Sequence, residues 1–258
     1  MLSLSSVDLF GWLWWCSTAA SCLALLRIGK TGLWRAYRAL ACYLLVDTAG
    51  NLILHFLTGS MSSYRAALEI AMPLSWAALI WVAFDLYDRL SAGLNAKRFG
   101  VWLLLAMLVA SVLASIGIGQ YCYPKWAGIM AELYWARQGV AFSLMVFVLM
   151  AYRFFNLHSV SVPRSRNLTR HLRITACLCT GFGIQAALVN LTGWDYFSPM
   201  QSLSQLGFAV CYLCWALGLT AVGEARDFDP IWDGRSAEDI DGFRDRAAAW
   251  NAGLRERQ

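Results

Sequence analysis

The sequence predicts an all-α membrane protein, a bundle of seven transmembrane helices with the N-terminus outside and the C-terminus in the cytoplasm. The composition, the length of the apolar stretches and the positions of lysine and arginine lead to this fold class. Of the 258 residues, 59% are hydrophobic and only 14% are charged. Because a soluble domain carries about 25% charged residues, this chain has too few charges to cover a globular surface.

The apolar residues fall into stretches that are each long enough for a spanning helix. A helix needs about 20 mostly apolar residues to cross the hydrocarbon core of a bilayer, whereas a barrel strand needs about 10 alternating ones. The lengths therefore predict helices rather than barrel strands. The stretches are Leu9–Leu26, Ala39–Thr58, Ala66–Phe84, Phe99–Gly119, Ile129–Tyr152, Ile174–Leu191 and Ser202–Val222.

The basic residues predict the orientation of the bundle. The first, third and fifth connections together hold twelve lysines and arginines, whereas the second, fourth and sixth hold only Arg65 and Lys125. Cytoplasmic connections are enriched in Lys and Arg, so the odd connections are predicted to be cytoplasmic. The first basic residue, Arg27, follows the first apolar stretch, unlike the arrangement in a cleavable signal. We expect a multi-pass protein of the cell membrane, most simply a bacterial inner membrane.

The charge of the chain indicates the bilayer as a partner and gives no sign of nucleic acid. The net charge of +5 comes from basic connections that suit an anionic membrane surface. Residues 1–223 form the predicted seven-helix domain, and residues 224–258 form an acidic cytoplasmic tail with nine acidic and six basic residues.

The tail is predicted to contain a short amphipathic helix. Pro230 interrupts any continuation of the seventh helix, and Ser236 with Asp239 resembles a capping box. Such a helix lies along the membrane surface or docks a cytoplasmic or membrane protein partner, and the sequence leaves both open. Its apolar stripe consists of Ile240, Phe243, Ala247, Trp250 and Leu254.

Polar side chains within the apolar stretches are the most informative residues, because an ionisable group at the centre of a bilayer costs about 3 kcal/mol to insert. Asp47, Asn51 and His55 lie four residues apart and share one helix face. Counted from the helix ends, one group of polar residues lies one or two turns below the outer surface and a second lies beneath it near the midplane. The first consists of His55, Glu69, Arg137, Asn190 and Gln205, and the second of Asp47, Asn51 and Gln185. We therefore predict an outward-facing polar cavity that binds a small molecule. The predicted ligand-binding residues are Asp47, Asn51, His55, Glu69, Arg137, Gln185, Asn190 and Gln205.

An alternative interpretation of the same residues is purely structural. Polar groups in membrane bundles often hydrogen bond between helices, at about 0.6 kcal/mol each. Glu69 and Arg137 have equal estimated depths on different helices, so we expect them to form an ion pair. Pro73 could kink the third helix below Glu69 and open space.

Neither a cofactor nor a metal is predicted. His55 is the one histidine within the apolar stretches, and Cys211 with Cys214 lacks the second ligand pair of a zinc site. No paired carboxylates or nucleophile–base spacing indicates a catalytic site, so an enzyme is not favoured.

The lysine that retinal proteins require in their seventh helix is missing. The lysines, Lys30, Lys97 and Lys125, lie in or near connections and not in the seventh helix, which excludes a retinal Schiff base. The segment Trp76–Arg89, an aromatic run that ends in acidic residues, resembles uncharacterised bacterial seven-helix membrane proteins, as does His171–Gly183 with its basic entry and Gly-Phe-Gly. That resemblance implies the fold and no activity.

The predicted function is that of a receptor-like or sensory membrane protein, which binds a small ligand from outside and signals through the basic connections and the tail. A small-solute transporter or channel subunit is the first alternative. A structural or assembly subunit is the second.

Overall fold

The computed structural model describes residues 6–57, 59–91, 97–122, 129–157, 164–192, 197–224 and 226–227, together with Asp245, Ala249 and Ala252. Within these residues the fold is helical, as predicted, with seven α-helices and one two-residue ladder. Each helix overlaps one of the predicted apolar stretches. The helices are α1 Ser6–Lys30, α2 Arg38–Phe56, α3 Met61–Leu90, α4 Lys97–Cys122, α5 Ile129–Leu157, α6 Arg166–Thr192 and α7 Phe197–Gly218.

By length and composition, four helices of the described chain can cross a membrane. These segments are Arg38–Phe56, Met61–Leu90, Arg98–Tyr121 and Ala131–Arg153. The α7 segment Ser202–Gly218 is apolar but shorter. The structure thus supports a membrane-embedded helix bundle.

Six of the helices form a closed ring. Along the ring α1 packs on α2, α2 on α3, α3 on α5, α5 on α6, α6 on α7 and α7 on α1. Helix α3 continues through Pro73 without interruption. Large side chains such as Leu40, Leu44, Leu86, Leu144 and Leu172 fill the interior and are fully buried.

Helix α4 lies outside this ring, mainly against α5. Close packing needs Gly139 of α5, because a Cβ there would lie 2.6 Å from the carbonyl oxygen of Ser111. Ser143 secures the contact by donating a hydrogen bond of 3.0 Å to the carbonyl oxygen of Met107. The rest of α4 exposes large apolar side chains, including Trp102 and Val109, as expected for a surface covered by lipid.

The described helix ends that flank the odd connections lie at one end of the bundle, which we call the basic end. There a 3₁₀ helix, Val222–Glu224, follows α7. Strand β1, Arg164–Ser165, then pairs antiparallel with strand β2, Arg226–Asp227, and joins the start of α6 to the chain that leaves α7. We call the other end, where α1 and α3 begin, the opposite end. The predicted amphipathic helix of the tail lies outside the described residues, apart from three isolated positions.

Candidate functional site

A cavity of about 160 Å³ lies along the axis of the ring. All six ring helices contribute side chains to it, and α4 contributes none of those described. We call it the axial cavity. Its lining residues are Trp14, Tyr43, Asp47, Gly50, Asn51, Leu54, Tyr64, Leu68, Ala71, Met72, Ser75, Trp76, Leu79, Arg137, Phe182, Gln205 and Phe208.

Asp47 is the centre of the polar side of this cavity. It lies nine residues from either end of α2, or about 13 Å at 1.5 Å per residue. Its Oδ2 atom accepts hydrogen bonds from Asn51 Nδ2 at 3.2 Å and from the Tyr212 hydroxyl at 2.9 Å. The Trp14 indole in turn donates to Asn51 Oδ1 at 3.0 Å. The carboxylate is thereby held by α1, α2 and α7.

The charge that faces Asp47 is Arg137, which lies about 12 Å along α5 from the opposite end by the same rise. Asp47 and Arg137 act on each other electrostatically, but no contact within 4.0 Å joins them. The Arg137 guanidinium lies 5.9 Å from the centre of the Phe182 ring, a cation–π contact. Among the residues the structure describes, no side chain forms an ion pair with it.

Gln205 of α7 provides an amide on a third wall. Its Oε1 atom lies 2.8 Å from the Ser17 hydroxyl, whose single proton is shared between this oxygen and the carbonyl oxygen of Trp14 at 3.0 Å. This contact orients the amide and leaves its NH₂ group without a described hydrogen-bond acceptor. The axial cavity therefore brings together a carboxylate, a guanidinium and two amides.

Aromatic side chains close the cavity toward the basic end. The Tyr43 and Tyr212 hydroxyls are 2.9 Å apart, and both rings contact Trp215, whose side chain is fully buried. His171 lies against Trp215 with ring centres 5.7 Å apart, and Tyr37 lies against His171 at 5.4 Å. A continuous series of ring contacts thus joins the cavity to the basic end.

At the basic end a second polar network surrounds Glu224, which is buried although it opens the predicted tail. The Tyr37 hydroxyl donates to Glu224 Oε2 at 2.7 Å, and Asn167 Nδ2 donates to the same atom at 3.2 Å. Burial and the neighbouring Glu224 carboxylate raise the pKa of Tyr37 above its ordinary value, so the hydroxyl keeps its proton. The network joins the first connection, α6 and the chain after α7.

The outer charges of this end are also paired. Asp85 accepts hydrogen bonds from Arg89 Nε at 2.8 Å and Nη2 at 3.3 Å, and the Arg89 guanidinium lies 5.0 Å from the Tyr37 ring. The acidic and basic groups thus hold α3 against the first connection.

Four of the eight predicted site residues line the axial cavity: Asp47, Asn51, Arg137 and Gln205. His55 does not. Although it shares a helix face with Asp47, it packs between aromatic rings, 4.3 Å from the Trp15 ring centre and 5.9 Å from that of Trp14. The last turn of α2 is thus held by packing against α1.

The predicted ion pair between Glu69 and Arg137 is wrong. Glu69 instead pairs with Arg65, one turn earlier on α3, at 3.4 Å, and both side chains are partly exposed. Equal depth was a poor guide, because it does not fix the direction in which each side chain leaves its helix. The groups that act on Arg137 electrostatically are instead Tyr134, Tyr43 and Asp47.

The remaining two predicted residues lie elsewhere. Gln185 lines a second, mostly apolar cavity of about 470 Å³ between α6 and α7, next to Gly181 and Gly207. Asn190 belongs to α6, but its side chain lies outside the described residues.

Sequence reasoning missed Trp14, Ser17, Tyr43 and Tyr212, the residues that hold the predicted polar groups in place. Tyr43 precedes Asp47 by four residues on the same helix, so the i, i+4 rule could have added it to the face. Nothing in the sequence pairs α7 with Asp47, because that contact depends on the ring closing between α1 and α7.

Comparison with known proteins assigns no family. No protein-family model, curated protein or solved structure matches this chain.

Proposed function

We propose that the chain is a receptor-like membrane protein whose axial cavity binds a small polar molecule. All seven helices cross the membrane in this proposal, with the opposite end outside and the basic end in the cytoplasm. The acidic tail and the basic end would pass the signal to a protein partner.

The observation that carries the proposal is that the Arg137 guanidinium lines the axial cavity without an ion-pair partner among the described residues. Burying a charge without a partner is costly, and a scaffold gains nothing from it. A binding site does gain, since the missing partner is then the ligand. The volume sets the size of that ligand, because a cavity of about 150 Å³ accepts a molecule as large as benzene.

The aromatic layer beneath the cavity favours a receptor over a transporter. Tyr43, Tyr212 and Trp215 are almost fully buried, and their rings contact one another on the side of the cavity that faces the basic end. The same rings continue through His171 to Tyr37, next to Glu224. A ligand that shifts Tyr212 through Asp47 would therefore also act on the network of the basic end.

A screen by thermal stability tests the cavity as a binding site. The full chain in lipid nanodiscs is melted in the presence of a library of small polar compounds, with tryptophan fluorescence as the readout. Ser75→Phe fills the cavity from α3, and Ala77→Phe adds the same ring to the exposed side of that helix as a matched control. We expect some compound to raise the melting temperature of the wild type and of Ala77→Phe, but not of Ser75→Phe.

Equal stabilisation of all three proteins would place binding outside the axial cavity and contradict the proposal. Protein-dependent accumulation of the same compound in proteoliposomes would instead favour a transporter.

Cysteine labelling tests the orientation. Ser63→Cys lies at the opposite end and Gly29→Cys at the basic end, and both positions are exposed. In intact cells, on a Cys122→Ser background, a membrane-impermeant maleimide should label the cysteine at 63 and reach the one at 29 only after permeabilisation. The reverse pattern would place the cavity mouth in the cytoplasm.

A further inference from the structure

We propose that the ligand of the axial cavity is a small zwitterion that carries an ammonium and a carboxylate a few bonds apart, as a small amino acid does. Its carboxylate binds Arg137 and its ammonium binds Asp47. This inference rests on the proposed function and names the chemical class that the site accepts.

The first step is the state of the two charged groups. Of the two Asp47 oxygens, Oδ2 accepts both hydrogen bonds, from Asn51 and Tyr212, and Oδ1 accepts none from the described residues. The Arg137 guanidinium has five N–H donors, and within the described structure none of them donates to a protein acceptor. A free acceptor and free donors therefore face one cavity.

The second step is their separation. Opposite charges in an apolar bundle attract strongly, yet Asp47 and Arg137 remain farther apart than 4.0 Å. The Asp47 carboxylate is held on one wall by hydrogen bonds from Asn51 of α2 and Tyr212 of α7, and Trp14 of α1 holds Asn51 in turn. On the other wall the Phe182 ring lies against the guanidinium. Both groups line the axial cavity, so a molecule that carries both charges would complete the pair with a charge-assisted hydrogen bond of about 2.8 Å at each end.

The third step is the exclusion of other ligand classes. A simple anion would satisfy Arg137 but meet repulsion from Asp47, and a simple amine would have the opposite difficulty. A neutral molecule would leave both charges without a counter-ion. A zwitterion satisfies both, and the Gln205 amide adds a further polar group to the same cavity.

The remaining walls limit the side chain of this molecule. Apart from the Ser75 hydroxyl, the rest of the lining is mostly apolar or aromatic and includes Trp76, Phe208, Met72 and Leu68. A volume of about 160 Å³ has room for a side chain of only a few atoms. Glycine, alanine and serine are therefore the probes of choice.

Matched compounds test the charge requirement on the full chain in nanodiscs. Glycine and alanine are compared by calorimetry with acetate and N-acetylglycine, which lack the ammonium, and with methylamine and glycinamide, which lack the carboxylate. Hydrogen bonds to charged groups contribute enough that losing one should weaken binding about 10- to 100-fold. We expect the zwitterions to bind more tightly than either set by that factor.

Two variants give a readout that a purely structural role would not produce. Asp47→Asn keeps an acceptor for Tyr212 but removes the charge. The affinity for glycine should therefore fall, and the affinity for acetate should rise. Arg137→Gln should lower the affinity for glycine and raise the affinity for methylamine. The control variants Arg65→Gln and Glu69→Gln break an ion pair outside the cavity and should leave all affinities unchanged.

The outcomes separate this inference from the proposed function. If acetate, methylamine or a neutral compound binds in the cavity as tightly as glycine, the proposed zwitterionic ligand class is wrong, whereas the proposal of a binding cavity is supported. If neither these probes nor the library binds in a manner that Ser75→Phe abolishes, both proposals fail.

Discussion

The two buried polar regions of the bundle contain similar side chains in different states. At the basic end the Glu224 carboxylate accepts hydrogen bonds from Tyr37 and Asn167, and Arg89 binds Asp85 through two nitrogens. In the axial cavity Arg137 lacks an ion-pair partner among the described residues, and one oxygen of Asp47 accepts no described hydrogen bond. Paired polar groups favour one packing arrangement, whereas unsatisfied groups are costly unless something else binds them. In the aromatic layer between the two regions, His171 Nε2 and Trp215 Nε1 are also buried without a hydrogen-bond partner among the described residues.

This difference separates the part that holds the bundle together from the part that is open to a ligand. Substitutions at the basic end and in the layer above it should therefore change stability. Substitutions in the axial cavity should change binding with little loss of stability.

The largest expected effect is that of Trp215→Ala, in the layer between the two regions. The Trp215 side chain is 0% exposed and contacts Tyr43, Tyr212 and His171, so its removal leaves a cavity that costs about 3–5 kcal/mol. Chemical denaturation in detergent measures the loss. The control is Trp81→Ala, where 48% of the residue is exposed and the loss should be small. Similar losses of stability at both positions would show that the aromatic layer around Trp215 is packed no more tightly than the exposed surface.

Tyr37→Phe should have an intermediate effect at the basic end. It removes only the hydroxyl that donates to Glu224, and a hydrogen bond to a charged group contributes about 1.5–3 kcal/mol. Tyr121→Phe, at a residue that is 88% exposed, provides the same chemical change without burial. If the two variants melt at the same temperature, the Glu224 network does not stabilise the bundle.

Arg137→Gln should cost little stability or raise it, since it removes a half-buried charge that has no ion-pair partner in the described part of the chain. We expect the free energy of unfolding to change by no more than about 1 kcal/mol, measured by the same chemical denaturation. The contrast with Tyr37→Phe then sharpens the distinction between the two regions. A loss as large as that of Trp215→Ala would show that Arg137 supports the fold, which would count against its role as a ligand contact.

The smallest effect is expected for Glu69→Gln, because the pair with Arg65 is partly exposed and joins adjacent turns of one helix. Such pairs contribute about 0.3–0.5 kcal/mol. Combined with Arg137→Gln, it should be additive within about 0.5 kcal/mol, as for residues that do not touch. A larger coupling energy would indicate that Glu69 and Arg137 do form an ion pair, contrary to the structure.

The helices themselves were predictable from local sequence. Length and hydropathy placed seven apolar stretches, and a helix overlaps each of them, because a helix satisfies its backbone hydrogen bonds within its own segment. The predicted face of α2 was also correct for Asp47 and Asn51, which form an i, i+4 hydrogen bond.

Contacts between helices were not predictable in the same way. Depth along a helix follows from residue number, but the rotation of one helix against another depends on packing around the whole ring. Glu69 and His55 were therefore assigned to the cavity from depth or helix face, whereas packing turns them to Arg65 and to the rings of Trp14 and Trp15.

The sequence by itself determined that this protein is a helix bundle of membrane character, with its basic residues gathered at one end and a few polar groups within the apolar stretches. Those features depend on composition and on the spacing of residues along one helix. Only the tertiary structure decided that α4 lies outside the ring, that Tyr212 of α7 binds Asp47, and that Arg137 faces Asp47 without touching it. The hydrogen bond between Tyr212 and Asp47, for example, joins residues 165 positions apart, so it exists only when the ring of helices closes.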